Sequence, residues 1–240
     1  MGKPTKSFAL WIAGYILRGL FAAVIFAVCA LMLWRVFIAA RVPSKLQRLA
    51  PNAVLSDAYR EGGNHLTLWT QEEASVTRGE KNAGYFGVPR FVFVDGADQV
   101  QVVFRYNNGT LKSIRDDFSL DAVPPRGTEI FDLTLVTVTD TTPEDKSDNV
   151  DGDESLVKSR LAPTTCEVST TLLYTYYLVT FDGVSTADDV IAIFLDVYYE
   201  GAIDYDAEAL GTLRLYHCES ERIAVELSKK EQKALDAFGK

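Results

Sequence analysis

The chain has 240 residues, 48% of them apolar and 11% aromatic, with 24 Lys+Arg, 33 Asp+Glu and three cysteines. That length suits one domain with a sizeable core, and the composition excludes a disulfide-dense mini-scaffold and a wholly disordered chain. Charge is divided along it: residues 1–48 hold seven Lys/Arg and no acid, whereas residues 49–240 hold 17 Lys/Arg against 33 acids, a surface that repels nucleic acid and anionic lipid headgroups alike.

A short basic tail, residues 1–7, precedes an almost continuously apolar run from Phe8 to Ala40, broken by charge only at Arg18 and Arg35. The 16 residues between those arginines, Gly19 to Trp34, would span roughly 24 Å as a helix against a hydrocarbon core of ~30 Å. Outward snorkelling of both arginines closes the shortfall. The pattern predicts one transmembrane helix over residues 8–40, held at its interfaces by Arg18, Trp34 and Arg35, with the bilayer as its partner. Phe8–Leu17, carrying Trp11 and Tyr15, becomes an interfacial extension, because centring the span on Arg18 would cost ~2.5–3.5 kcal/mol. A cleaved signal peptide fits poorly, since the apolar run is too long and Arg35–Ala40 offers a weak cleavage site. Lipid attachment at Cys29 is disfavoured by Val28 before it. Three basic residues precede the span and four follow it within the first 48 residues; taken alone, this favours a cytoplasmic C-terminal side. Long domains translocate largely regardless of such counts. A β-rich domain with two cysteines available to pair therefore reads as extracytoplasmic.

Residues 41–51, punctuated by Pro43 and Pro51, read as a juxtamembrane linker, and residues 52–240 as one domain. Asn52 caps a short helix carrying Val54, Leu55, Ala58 and Tyr59, which Gly62-Gly63 stops. Thereafter the period becomes two. Strands are predicted at His65–Thr70, Arg90–Asp95, Gln99–Tyr106, Ile130–Thr139, Thr171–Phe181, Val190–Tyr199, Thr212–His217 and Arg222–Leu227. In the third, Val100, Val102, Phe104 and Tyr106 alternate with Gln99, Gln101 and Arg105. Asn108-Gly109 supplies the pair that a type I′ turn needs, which predicts a hairpin over Gln99–Arg115. Thr171–Phe181 and Val190–Tyr199 are apolar on both faces, as central strands covered on both sides are. About nine short strands with turn signals between them predict an antiparallel β-sandwich with a short helix at each end, the second begun by the capping box Ser228-Lys-Lys-Glu231. Residues 140–155, rich in acids and without an aromatic, predict an exposed acidic loop.

Signatures of catalysis are absent: no Gly-rich phosphate loop, no G-x-S-x-G, no H-E-x-x-H and no C-x-x-C. His217 and Cys218 are adjacent, but strand neighbours point to opposite faces; His217 is expected to pack beside Leu213 and Leu215. A pairing of Cys218 with the distant His65 is a remote alternative. In the acidic loop, Asp148, Asp151 and Asp153 are weak calcium candidates. The twelve-residue calcium-loop template fails there, because Lys158 falls where its bidentate Glu is required. Cys166 and Cys218 are candidates for a disulfide. Tyr174, Tyr176 and Tyr198 could contact a ligand, since tyrosine combines apolar area with a polar tip, or they could fill a sandwich core. Asn108-Gly109-Thr110 also matches a glycosylation sequon.

These features favour a single-pass, membrane-anchored extracytoplasmic β-sandwich acting as a binding or assembly module, without a cofactor and with another membrane or envelope protein as its partner. Two alternatives are a membrane-tethered hydrolase using acidic residues and a cytoplasm-facing scaffold for a membrane complex.

Overall fold

In the structure, a computed structural model, the described residues are 6–71, 75–78, 85–117, 119–140, 156–186, 189–199 and 209–238. The chain divides into two compact units, Met1–Arg41 and Val42–Lys240. The first is a single helix, α1 (Lys6–Ala40). Its Gly14–Ile38 stretch has a mean hydropathy of 2.5 and no part of it is buried by protein. At ~1.5 Å per residue it is long enough to cross a bilayer. Leu20, Phe21 and Phe26, on three different sides of the helix, stand exposed, so the apolar surface runs all round it rather than along one stripe. Trp34 pairs with Phe37 near its end, and the Arg41 guanidinium lies 4.4 Å over the Phe37 ring.

The second unit is a mainly β, antiparallel sandwich with short helices at both ends. A six-stranded sheet has the order β11-β1-β3-β4-β8-β7 and a five-stranded sheet the order β2-β10-β9-β5-β6. The strands are β1 (Thr67–Gln71), β2 (Ser75–Arg78), β3 (Phe86–Asp95), β4 (Gln99–Asn107), β5 (Phe131–Asp140), β6 (Leu156–Leu161), β7 (Thr165–Thr170), β8 (Tyr174–Asp182), β9 (Val190–Tyr199), β10 (Gly211–His217) and β11 (Arg222–Val225). Between the sheets lies an aromatic-rich core: Trp69, Phe93, Phe104 and Phe181 from the first sheet face Phe131, Leu135, Ile193 and Leu213 from the second. Period-two alternation puts these side chains on one face of each strand.

Two helices lie on the outer face of the six-stranded sheet. α2 (Ala53–Glu61) begins at Asn52, whose side chain accepts from the Leu55 N–H, as its sequence predicts. α4 (Lys229–Ala237) begins at Ser228 with the capping box complete. Leu55 and Tyr59 of α2 and Leu235 of α4 pack on Leu68, Val92 and Val94.

Three differences from the sequence reading have physical causes. The hairpin expected over Gln99–Arg115 does not form. Instead, the Asn107 side chain accepts from the Gly109 N–H at 2.8 Å and starts a 3₁₀ turn, followed by α3 (Leu111–Asp117). Leu111 and Ile114, three apart and therefore on one helical face, are buried in the core. The true partners of β4 are β3 and β8. The β3–β4 hairpin turns through Asp95-Gly96-Ala97-Asp98, where Gly96 takes φ of 80°, a region open to glycine at little cost.

Eleven strands are described rather than nine. β2, β6 and β7 were hidden because they lie at sheet edges, where little alternation is required; β6 is exposed along nearly its whole length. Finally, the supposed linker is part of the domain. Val42–Pro51 forms a strap on the outer face of the six-stranded sheet, with Leu46 and Leu49 buried at 1% and 5% exposure. The acidic loop falls outside the described residues except for Asp140, which ends β5 opposite Leu156, the first residue of β6.

Candidate functional site

The most constructed part of the molecule, apart from its core, is the contact between the strap and the six-stranded sheet. β4 turns Gln99 and Gln101 outward, and both are only 1% exposed. Gln101 makes a two-way bond with Ala50: its carbonyl oxygen accepts from the Ala50 N–H at 2.8 Å and its amide donates to the Ala50 carbonyl at 2.8 Å. It also donates to Gln99 Oε1 at 3.1 Å, which accepts from Asn52 at 3.2 Å, and Gln99 in turn donates to Asp182. A glutamine pair here does what a neighbouring strand would do: it satisfies a backbone segment that would otherwise be buried unpaired.

Glu231 closes the other side. One carboxylate oxygen accepts from the Leu49 N–H at 2.8 Å, and the other accepts from the Ser228 N–H and hydroxyl at 2.8 and 2.6 Å. Arg90 stands 4.0 Å away on β3. Burial pushes the Glu231 carboxyl up, but these hydrogen bonds and the Arg90 charge outweigh it, and the net shift is downward. Burial lowers the Arg90 pKa against the opposing pull of Glu231. Arg90 Nη1 is the one buried side-chain polar atom without a partner among the described residues, and it borders a space of about 420 Å³ where β1 and β3 part beyond Trp69 and Phe93. Strap, α4 and sheet therefore share one network. Leu46 adds apolar contact by packing with Val103, Tyr176 and Leu178.

Beside this network opens a cleft of about 410 Å³. Lys45, Arg48 and Lys230 stand at its rim, while Leu49, Ala50, Leu178 and Ala234 contribute apolar lining. Glu167 and Glu231 also border it. Glu167 is paired with Lys45 at 3.1 Å, and Glu231 is held as described above.

The residues singled out from the sequence are placed elsewhere. Tyr176 and Tyr198 are 0% and 4% exposed, so neither ring is open to a ligand; Tyr174 is half-buried with the Arg105 guanidinium 4.4 Å over its ring. The neighbouring Tyr177 is buried on the inner face, where its hydroxyl accepts from the Ile130 N–H at 2.6 Å and donates to the Thr128 carbonyl at 3.0 Å. Asp148, Asp151 and Asp153 lie outside the described residues, and among those described no cluster of metal-ligating side chains occurs. Arg18, Trp34 and Arg35 all lie on α1.

The expected disulfide is not formed. Cys166 shares a small cavity with Leu133, which pairs with Val197, whereas Cys218 donates its N–H to the Ile191 carbonyl. Val197 and Ile191 lie six positions apart on β9, about 20 Å, and a disulfide tolerates Cα atoms no more than ~7 Å apart. Both thiols are free. Burial, reinforced by a hydrogen bond to Glu129, pushes the Cys166 thiol up to about 12, which suppresses the thiolate that nucleophilic chemistry would need.

His217 does not share the face of Leu213 and Leu215, because a bulge between Arg214 and Tyr216 shifts the register and turns Tyr216 inward instead. It sits half-exposed beside Gln71, at the far end of β1 from His65. Asn108 of the sequon is 3% exposed and bonded to Thr171 and Thr175, which closes it to glycosylation.

No protein-family model matches this chain, and neither a curated protein nor a solved structure matches it.

Sequence reasoning missed the strap network. The available signal was the pair Gln99 and Gln101 on a strand whose other face is apolar, together with Leu46 and Leu49 spaced one helical turn apart in a segment that otherwise reads as a linker.

Proposed function

We propose that this chain is a single-pass membrane protein whose β-sandwich faces away from the cytoplasm and works as a non-catalytic binding or assembly module, with another membrane or envelope protein as its partner. The support comes chiefly from one observation: the residues that follow α1 are built into the sandwich, through Leu46, Leu49 and the Gln101–Ala50 bonds. A long flexible tether would let the domain sample a wide volume; a strap built into the sandwich within ten residues of α1 shortens that tether. A module that assembles with membrane-embedded partners benefits from that restriction, because confinement raises the effective concentration of one surface for another.

Protease added to intact spheroplasts tests the reading. The proposal expects the C-terminal domain to be digested from outside while α1 remains in the membrane after alkaline carbonate extraction. Protection until lysis would reverse the orientation, and release by carbonate would remove the anchor.

A further inference from the structure

We infer that the cleft between the strap and α4 binds the headgroup of an anionic phospholipid. The inference rests on the membrane-anchored reading above.

The cleft has a cationic rim of Lys45, Arg48 and Lys230 and an apolar lining from Leu49, Ala50, Leu178 and Ala234. A phosphodiester with its glycerol and upper acyl carbons has matching halves: a charged oxygen cluster for the rim and aliphatic carbon for the lining. The space of about 410 Å³ lies within the ~300–1,000 Å³ of small-molecule sites. A free inorganic anion would leave the apolar lining unused.

Among the described residues no ion pair or hydrogen bond engages the side chains of Arg48 and Lys230, while both carboxylates at the cleft are engaged: Glu167 with Lys45, and Glu231 with Ser228, the Leu49 N–H and Arg90. Two cations are therefore free to receive an anion, and the third can share one. The acidic balance of residues 49–240 averages over the whole domain and is reversed at the cleft, where Lys45, Arg48 and Lys230 stand against Glu167 and Glu231. At a Debye length of ~8 Å, such local charge outweighs the distant acids.

Lys45 follows the last residue of α1 by five positions, and a chain extends at most ~3.6 Å per residue, so its Cα lies within ~18 Å of the end of that helix. Only a short stretch of chain therefore separates this rim from the end of the apolar helix. The juxtamembrane basic residues thereby gain a specific role.

The test uses the full chain in nanodiscs of phosphatidylcholine, alone or with 30% phosphatidylglycerol, following thermal unfolding of the sandwich by near-UV circular dichroism. A ligand held only by the native state raises the melting temperature by mass action. The expected result is a rise of several degrees with phosphatidylglycerol, reduced at least by half in Lys230→Gln and in Lys45→Gln/Arg48→Gln, suppressed by 0.5 M salt and retained in Lys112→Gln, which removes an exposed charge on α3. Equal melting temperatures in the two bilayers would overturn the proposal, as would an equal loss in Lys112→Gln. Millimolar inorganic phosphate producing the same rise in phosphatidylcholine nanodiscs would overturn the lipid assignment in favour of a free anion. Failure of the chain to co-float with phosphatidylcholine vesicles would instead overturn the membrane-anchored reading, a result independent of headgroup charge.

Discussion

The six-stranded sheet turns Phe93, Val102, Phe104, Tyr177 and Phe181 toward the second sheet, and Arg90, Gln99, Gln101 and Leu178 toward the strap and α4. Both faces are closed to water over much of their area, but by different means. On the inner face, burial itself is the stabilising term, ~1.5–3 kcal/mol for each large side chain, and any apolar residue of suitable shape contributes. The outer face buries amides and a carboxylate, which would each cost free energy unless every partner were supplied. The inner face therefore tolerates exchange of like for like, whereas the outer face depends on a few specific pairings.

The sharpest way to break the inner face is a charge within it. Phe104 is fully buried against Phe86, Phe131 and Tyr177, and Phe104→Asp leaves a carboxylate there without a partner. A loss above ~4 kcal/mol is expected, set against a total stability of ~5–15 kcal/mol. Near-UV circular dichroism of the full chain in detergent should lose its aromatic signal. Retention of a cooperative transition would show that this face is less closely packed than Phe104 implies.

On the outer face the corresponding change is conservative in volume. Gln101→Leu keeps the side chain's approximate volume but makes it apolar, leaving the Ala50 N–H and carbonyl without their partner. At ~1–3 kcal/mol for each of the two orphaned groups, the expected cost is about 2–6 kcal/mol. Urea unfolding should show it. Trypsin should also cut faster at Lys45 or Arg48, because the strap opens before the sandwich does. A cost below ~0.5 kcal/mol would mean that the strap merely rests on the sheet, and the contrast between the two faces would disappear.

This contrast also explains what could be read from the sequence. Alternation along Gln99–Tyr106 and the doubly apolar runs at β8 and β9 report inner-face burial directly, so the sandwich was legible. Asn52 and Ser228 announced both helices on the outer face. Leu46 and Gln101 were not legible as partners, because a polar side chain on an alternating strand looks the same whether water or another backbone satisfies it. Asn107 misled for a similar reason: an Asn-Asn-Gly run suits a type I′ turn or a helix cap, and burial of Leu111 and Ile114 decided between them. The bulge in β10 that redirects His217 leaves no mark in a seven-residue strand.

Acid should weaken the outer face selectively. The folded-state pKa of Glu231 lies below its unfolded value of ~4.3, so its contribution is complete above the unfolded value and is lost as pH falls through the folded one. Glu231→Gln removes that titration and leaves Arg90 without its charge partner. The variant should be less stable at pH 7, and its disadvantage should shrink below pH ~4, as the wild-type carboxyl takes up its proton. Urea midpoints at pH 7 and pH 3.5 measure the difference. A gap that stays constant with pH would mean that neither these hydrogen bonds nor Arg90 favours the ionised Glu231 carboxyl over the protonated one.

The smallest effect is expected where neither face is involved. Asp140 and Leu156 are opposite each other at the ends of β5 and β6, so the 15 residues between them join strands that are already paired. The segment is acidic, with Val150 as its one large apolar residue, and its burial can add little. Closure entropy changes slowly with length, by about 0.6 kcal/mol for each doubling. Replacing residues 141–155 with four Gly/Ser residues, close to two halvings, should therefore stabilise the hairpin by roughly 1 kcal/mol at most and move the melting temperature of the full chain by no more than a few degrees. Unfolding of the variant would show that the segment is structural. Loss of a calcium-dependent rise in stability present in the parent would show that Asp148, Asp151 and Asp153 hold a cation, since a ligand bound only by the native state stabilises it by mass action. Either result would make residues 141–155 a third stabilising region beside the two faces of the sheet, built on carboxylates rather than on apolar burial or amide pairing.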